Sequence, residues 1–147
     1  MMNTTDTPHA IETLLEWRGT WLAARLAIVL VYLVSAAGHL AGFEAAVAEQ
    51  AAFGMPAPAV MAGLTVAVEL VGSLMVLTGR LVWLGAGMLG GFTALGAVIA
   101  HPFWTLQSNA RFDAMATFLE HAGLIGGLIL VALVAERARR QETRHGR

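Results

Sequence analysis

The sequence predicts an all-α protein: a bundle of four transmembrane helices with both termini in the cytoplasm. Hydrophobic residues make up 57% of the chain and charged residues 13%, whereas an average soluble domain is about 25% charged. Four apolar segments of about 20 residues follow one another, and each is long enough to cross roughly 30 Å of hydrocarbon. Arginines cluster on one predicted side of the membrane, and this asymmetry orients the bundle.

The chain divides into three parts. Residues 1–19 form a polar N-terminal tail, in which Thr7 as N-cap and Pro8 as first helical residue indicate a helix start. This part is either a short interfacial helix on the membrane surface or a loosely ordered tail. Residues 20–135 form the transmembrane domain. Residues 136–147 form an Arg-rich cytoplasmic tail with five of the nine basic residues. The absence of Cys excludes disulfides and thiolate metal sites.

The first span covers residues 20–42 and has no formal charge after Arg25. An alternative interpretation is a signal peptide with Arg25 in its basic region, and its cleavage would leave three spans. Residues 43–58 follow as a connector. Because Gly54 and Pro56 favour a turn, we expect this connector to be a turn rather than a helix interior.

The other three spans differ in their content of apolar and ionisable residues. The second, residues 59–78, contains nine Leu or Val residues and one acid, Glu69. The apolar residues contribute roughly −3 to −5 kcal/mol to insertion, against about +3 kcal/mol for a central acid. The third span, residues 81–100, has no ionisable residue. A polar loop is expected at 105–113, and the fourth span covers 114–135.

The distribution of arginine sets the orientation. Four spans place both termini on one side of the membrane. That side holds Arg18, Arg80 and the five tail arginines, whereas the other side holds only Arg111. Because basic residues accumulate in cytoplasmic loops and flanks, we expect both termini to be cytoplasmic.

The glycines indicate helix packing. Gly85, Gly87 and Gly90 give the pattern G-x-G-x-x-G, but the pattern lies inside a spanning helix, where a dinucleotide site does not form. Small residues four positions apart let helices approach closely in lipid, and a further glycine face would favour a homo-oligomer. The pairs with this spacing are Gly38 and Gly42, Gly87 and Gly91, and Gly123 and Gly127.

A lone acid in the middle of a spanning helix needs a partner or a function. Glu69 lies near mid-depth of the second span, and Arg25 lies about 8 Å from the inner surface on the first. One hypothesis is a structural ion pair of Arg25 with Glu69 that fixes the helix register. The other is that Glu69 carries a proton or holds a ligand.

A second polar group lies in the predicted outer half of the bundle. His39 ends the first span, His101 ends the third, and Glu120 with His121 lies two turns into the fourth. Three imidazoles and a carboxylate suit a transition metal or the head group of a quinone, where a carboxylate moves the proton. Ordinary bundle polarity is the third interpretation, since no spacing places two of these residues on one helix face.

An ordered set of short motifs resembles the DoxX family of small four-helix inner-membrane proteins over about residues 25–133. The resemblance implies a bundle in the bacterial cytoplasmic membrane, related to subunits of thiosulfate:quinone oxidoreduction or to anchors for redox or detoxification proteins. The chain departs from the family at His39, where Lys is common, and at Glu120 and His121, where Lys-Asn is common. The motifs are Arg25, Ser35–Gly38, Gly54–Pro56, Glu69–Gly72, Gly79–Arg80, His101–Trp104 and Phe118–Gly127.

Three functional hypotheses follow, and they leave open whether the protein is itself an enzyme. The first is a membrane subunit of a quinone-linked oxidoreductase, with Glu69 and His101 as catalytic residues and quinone as the ligand. The second is a non-catalytic anchor whose Arg-rich tail docks a soluble redox protein or anionic lipid. The third is a metal-handling protein, although no metal ligand set is assigned. We expect contact with membrane lipids and no nucleic-acid partner. The ligand-binding candidates are Arg25, His39, Glu120 and His121.

Overall fold

The computed structural model describes residues 7–145, and this part of the chain contains helices and no strand. Four of the helices are long and apolar enough to cross a membrane, which confirms the predicted bundle of four spans. Two shorter helices, α1 and α3, flank the first span. The helices are α1 (His9–Glu16), α2 (Arg18–Ala41), α3 (Phe43–Ala52), α4 (Pro58–Thr78), α5 (Val82–Ala100) and α6 (Ser108–His145), with a short 3-10 helix at Phe103–Thr105.

The four long helices form a ring that is weakest on one side. Helix α4 packs against α2 and α5, and α5 packs against α6. Helix α3 lies against α4, whereas α6 makes few contacts with α2. The ring of helices therefore closes most loosely between α6 and α2.

The core contains apolar side chains from all four long helices, including Val29, Val76, Leu89 and Leu128. One buried polar link crosses it. The Thr93 hydroxyl donates to the Leu89 carbonyl at 2.7 Å and lies 2.5 Å from the Tyr32 hydroxyl, which therefore donates to it. The outer surface carries large apolar side chains, as a lipid-facing surface must. Examples are Leu30, Val34, Leu74, Leu95 and Leu130.

Helices α4 and α5 make their closest approach at two glycines that the spacing rule did not select. A Cβ atom at Gly85 would lie 2.7 Å from the carbonyl oxygen of Gly72. Of the six predicted positions, Gly127 does pack closely, against Ile28 of α2. A Cβ at Gly42 would make only ordinary contacts. Four others would meet no atom within 4 Å: Gly38, Gly87, Gly91 and Gly123.

The expectation of close packing is therefore wrong at most of the positions given for it. Spacing along one helix shows that a small-residue face exists, but it does not show whether that face meets a helix or lipid. Self-association through the outward-facing glycines stays a prediction.

Two predicted loops are largely helical. The connector at residues 43–58 contains α3, and its turn is confined to the residues around Gly54, which has a positive φ of 70°. The alanine-rich stretch from Glu44 to Ala52 is a good helix former, and the turn signals lie only after it. The loop predicted at 105–113 is also shorter, because α6 already begins at Ser108.

The two ends of the described chain are helical as well. Helix α1 begins at His9 with Pro8 at the N-cap position, so Thr7 is not the cap and the predicted start is one residue early. The Pro8 carbonyl accepts the amides of Ile11 and Glu12. Helix α6 continues through most of the Arg-rich tail, to His145. Residues 1–6 and 146–147, including Arg147, lie outside the described part of the chain.

Candidate functional site

A cavity of about 500 Å³ lies at the end of the bundle where α2 and α5 both finish. Most of its wall is apolar. Val31, Leu64 and Leu95 line it and are also exposed on the outer surface of the bundle, so the cavity opens sideways toward the acyl chains of a bilayer. Its ionisable lining residues are Tyr32, His39, Glu49, Glu69, His101 and His121.

Glu69 is the buried acid of this cavity, with 2% of its side chain exposed. It lies at the middle of α4, one side of which faces α2. Its Oε2 atom is 3.4 Å from Nδ1 of His39, a residue in the last turn of α2. The other ring nitrogen of His39, Nε2, is 3.6 Å from Oε2 of Glu49. Since the Glu49 side chain is 52% exposed, the three residues connect the bundle interior with its surface.

Two polar atoms in this group are buried without a hydrogen-bond partner among the described residues. They are Nδ1 of His39 and Oε2 of Glu69. These two atoms are 3.4 Å apart, which is close enough for an ion pair, but they are not aligned for a hydrogen bond with each other. A buried polar atom that lacks a partner costs about 1–3 kcal/mol. A ligand that donates to one of these atoms, or accepts from the other, would remove that cost.

The predicted ion pair of Arg25 with Glu69 is wrong in this structure. The guanidinium of Arg25 lies beside Gly79, with Nη1 2.7 Å from the position of a Cβ on that glycine, and its Cζ is 5.2 Å from the centre of the Trp21 ring. Gly79 is ten residues beyond Glu69 along the α4 axis, about 15 Å away. Because α2 runs antiparallel to α4, the C-terminal His39, not the N-terminal Arg25, reaches the acid.

His101 and His121 contact each other at the same cavity, with ring centres 5.2 Å apart. Nδ1 of His121 lies 2.7 Å from the Thr117 carbonyl. A carbonyl can only accept, so Nδ1 carries the proton and Nε2 of the neutral ring is left as an acceptor. The structure therefore brings His39, Glu69, His101 and His121 to one cavity.

Glu120 does not join this group, because it is exposed and does not line the cavity. Neighbouring residues on a helix point in different directions, and the side chain of His121 is the one that points into the cavity. Within residues 7–145, no group of three His, Asp or Glu residues has the proximity that a metal ion requires. The geometry thus offers no observation in favour of the metal-handling hypothesis.

Sequence reasoning missed several lining residues. Glu49 lies in the segment predicted as a connector, Tyr32 and Thr93 lie in predicted spans without a predicted role, and Ser35 appears only within a family motif. A signal was available for the last three, because polar side chains inside a spanning helix usually face the bundle interior. For Glu49 the signal was absent, since its position depends on α3 folding back onto α4.

Comparison with known proteins gives the family. The sequence model of DoxX matches residues 20–102, more than half of the chain. The chain belongs to the DoxX family. The match includes His39, Glu69 and His101 of the cavity and ends before His121. This DoxX protein is also similar to inner membrane protein YphA of Escherichia coli strain K12, with 26% identity over 117 residues, 80% of this chain and 84% of that protein. No solved structure matches this chain.

The location in the membrane follows from these findings. The DoxX match, the inner-membrane relative and the four helices of spanning length together confirm a multi-pass protein of the bacterial inner membrane. The side on which the termini lie stays a prediction from the arginine distribution.

Proposed function

We propose that this DoxX protein is the membrane subunit of a quinone-linked redox system and that a quinone head group binds in the cavity. One observation carries the proposal. A buried carboxylate and imidazole, each with an unpartnered polar atom, face a largely apolar cavity that opens toward lipid. A ligand for such a cavity is an apolar, lipid-soluble molecule with a few hydrogen-bonding atoms.

A quinone meets this description, since its ring carries carbonyl oxygens and its tail partitions into lipid. Reduction of one quinone to quinol takes two electrons and two protons. The electrons come from a partner oxidoreductase that carries a reduced flavin or an iron–sulfur cluster. The protons come from the cavity, where Glu69 acts as general acid. His101 and His121 line the same cavity. A ring N–H of His101 can donate to a quinone oxygen, whereas the accepting Nε2 of His121 suits the hydroxyl group of the quinol product.

The proton route follows the ordered carboxylate–imidazole–carboxylate chain. Glu69 passes a proton to the ligand and recovers one from His39 across 3.4 Å. His39 in turn recovers a proton from Glu49 across 3.6 Å, and Glu49 exchanges with water. Both distances exceed a good hydrogen bond, so each transfer includes a small rotation of a side chain.

Quinone binding by the purified protein tests the proposal. A short-chain benzoquinone should bind in mild detergent with a stoichiometry of one. A quinone oxygen only accepts, so Glu69 bonds it in the protonated form, and Glu69→Leu removes this neutral hydrogen bond. Such a bond stabilises a complex by about 0.5–1.5 kcal/mol, so affinity should fall roughly 2- to 10-fold. Glu44→Leu is the matched control, because Glu44 belongs to α3 but does not line the cavity. Absence of saturable binding, or equal affinity of the Glu69 variant, would refute the proposal.

A second function, that of an anchor, is favoured by the length of α6. Its 38 residues extend about 57 Å, whereas the hydrocarbon layer is about 30 Å thick. The helix therefore projects from the membrane as a rod that carries arginines and suits an acidic soluble partner. The two functions separate in one assay: an anchor alone will not accelerate the reduction of a quinone by a soluble reduced flavin above the uncatalysed rate, whereas a catalytic subunit will.

A further inference from the structure

A second pocket, of about 480 Å³, lies at the opposite end of the bundle from the quinone cavity. It occupies the space between α2, the turn that joins α4 to α5, and α6, where the ring of helices closes loosely. Arg25 from α2, Gly79 from the turn, Trp83 from α5 and Arg139 from α6 line it. None of these residues takes part in the proposed quinone site.

Arg25 is the polar centre of this pocket. Its side chain is partly buried, and its Nε atom is fully buried without a hydrogen-bond partner among the described residues. The guanidinium packs against Gly79 and over the ring of Trp21, but no acid of the described chain lies within ion-pair distance of it. A buried donor of this kind is satisfied by an anionic acceptor, for which guanidinium has a matching fork of N–H groups.

The acids of the pocket leave Arg25 uncompensated. Glu136 lines the wall, but its two oxygens are bound by Arg139 and Arg140 at 2.8 Å. Glu142 is the other acidic lining residue. The lining residues by themselves balance, with two arginines against two acids, but Arg140 adjoins them through Glu136 and gives the whole group one positive charge in excess. The group therefore attracts a single negative charge.

An apolar groove adjoins the pocket and shares Trp83, Ala132 and Glu136 with it. The groove, about 460 Å³ in volume, runs between α5 and α6 toward the middle of the bundle. Gly87 and Gly91 form part of its floor, and a side chain at either would meet nothing within 4 Å. From Trp83 to Gly91 the groove follows α5 for about 12 Å.

We propose that this composite site binds one anionic phospholipid of the phosphatidylglycerol type. Arg25 holds the phosphodiester, and an acyl chain occupies the groove over Gly87 and Gly91. The arrangement matches a lipid, because the charged pocket for the head group lies at the end of the bundle and the apolar groove for the acyl chain runs inward from it. Trp83, which is 63% exposed, lies between the two, and tryptophan rings prefer the membrane interface. A zwitterionic lipid fits less well, because its choline adds a positive charge beside a group of side chains that already carries one in excess.

Thermal unfolding in a neutral detergent tests the site. Dioctanoylphosphatidylglycerol should raise the melting temperature in a saturable way, by roughly 5–10 °C at a hundredfold excess over its Kd. Dioctanoylphosphatidylcholine, with the same chains, and inorganic phosphate, with the anion alone, should each give little or no shift. An equal shift with phosphatidylcholine would overturn the charge selectivity, and an equal shift with phosphate would reassign the pocket to a free anion.

Two pairs of variants locate the binding. Arg25→Gln should abolish the shift, while Arg80→Gln should keep it, because Arg80 lies at the same bundle end but is exposed and does not line the pocket. Gly87→Leu should fill the groove and reduce the shift without a change of charge. Its control is Gly63→Leu on α4, where a side chain also meets nothing within 4 Å. If both Arg25→Gln and Gly87→Leu retain the full shift, the site is not there.

Discussion

Replacing Gly85 by alanine should force α4 and α5 apart. The new methyl group would lie 2.7 Å from the carbonyl oxygen of Gly72 and 2.7 Å from Cβ of Met75. Ordinary contacts between such atoms need about 3.5 Å. Neither neighbour is the movable end of a side chain, since one is backbone and the other is bonded to backbone. The two helices must therefore separate by several tenths of an ångström, and the packing of Leu89 against Gly72 loosens with them.

The size of the effect follows from two opposing contributions. Overpacking of a helix contact costs about 1–3 kcal/mol, while alanine in place of glycine stabilises a helix by about 0.5–1 kcal/mol. Gly87 lies on the same helix, and a methyl group there meets no atom within 4 Å. Gly87→Ala therefore has only the stabilising contribution. The difference between the two variants isolates the overpacking, at about 2 kcal/mol.

Melting temperatures of both variants in the same detergent measure this difference. For a chain of this size, 1 kcal/mol corresponds to roughly 2–4 °C, so Gly85→Ala should melt about 4–8 °C below Gly87→Ala. If the two variants melt together, α4 and α5 do not meet at Gly72 and Gly85, and the packing described for the centre of the bundle is incorrect.

Two further predictions concern the polar groups. Glu49→Gln should slow the reduction of bound quinone by a soluble reduced flavin about tenfold or more, because it interrupts proton supply to Glu69, while quinone affinity stays unchanged. Stopped-flow turnover measures this with Glu44→Gln as the control, and an unchanged rate would remove Glu49 from the route. Glu136→Gln should loosen the projecting end of α6, since Arg139 and Arg140 lose their shared partner. Amide exchange beyond residue 136, followed by mass spectrometry, should become about two- to fivefold faster, and unchanged protection would show that the ion pairs do not hold this helical end.

The sequence was a good guide to features that depend on one segment at a time. The four spans, the acid at the middle of the second and the family resemblance could all be read from it, because hydropathy is summed along a helix. Helix α3 was not predicted, because Gly54 and Pro56 indicate a turn and that turn was assigned to the whole connector. The turn occupies only the C-terminal end of the connector. The helical Arg-rich tail was missed because its charges do not indicate whether the backbone continues as a helix.

What the sequence by itself determined is the position of each polar residue along its helix, since that position follows from residue count at a fixed helical rise. Only the tertiary structure decided which of these residues meet. Contact between two helices depends on their rotation about their own axes and on their offset along the membrane normal, and neither quantity is contained in a single helix. Arg25 and His39 both lie on α2, within reach of different parts of α4, and the antiparallel packing of those helices gives Glu69 the histidine and leaves the arginine at the pocket by Gly79.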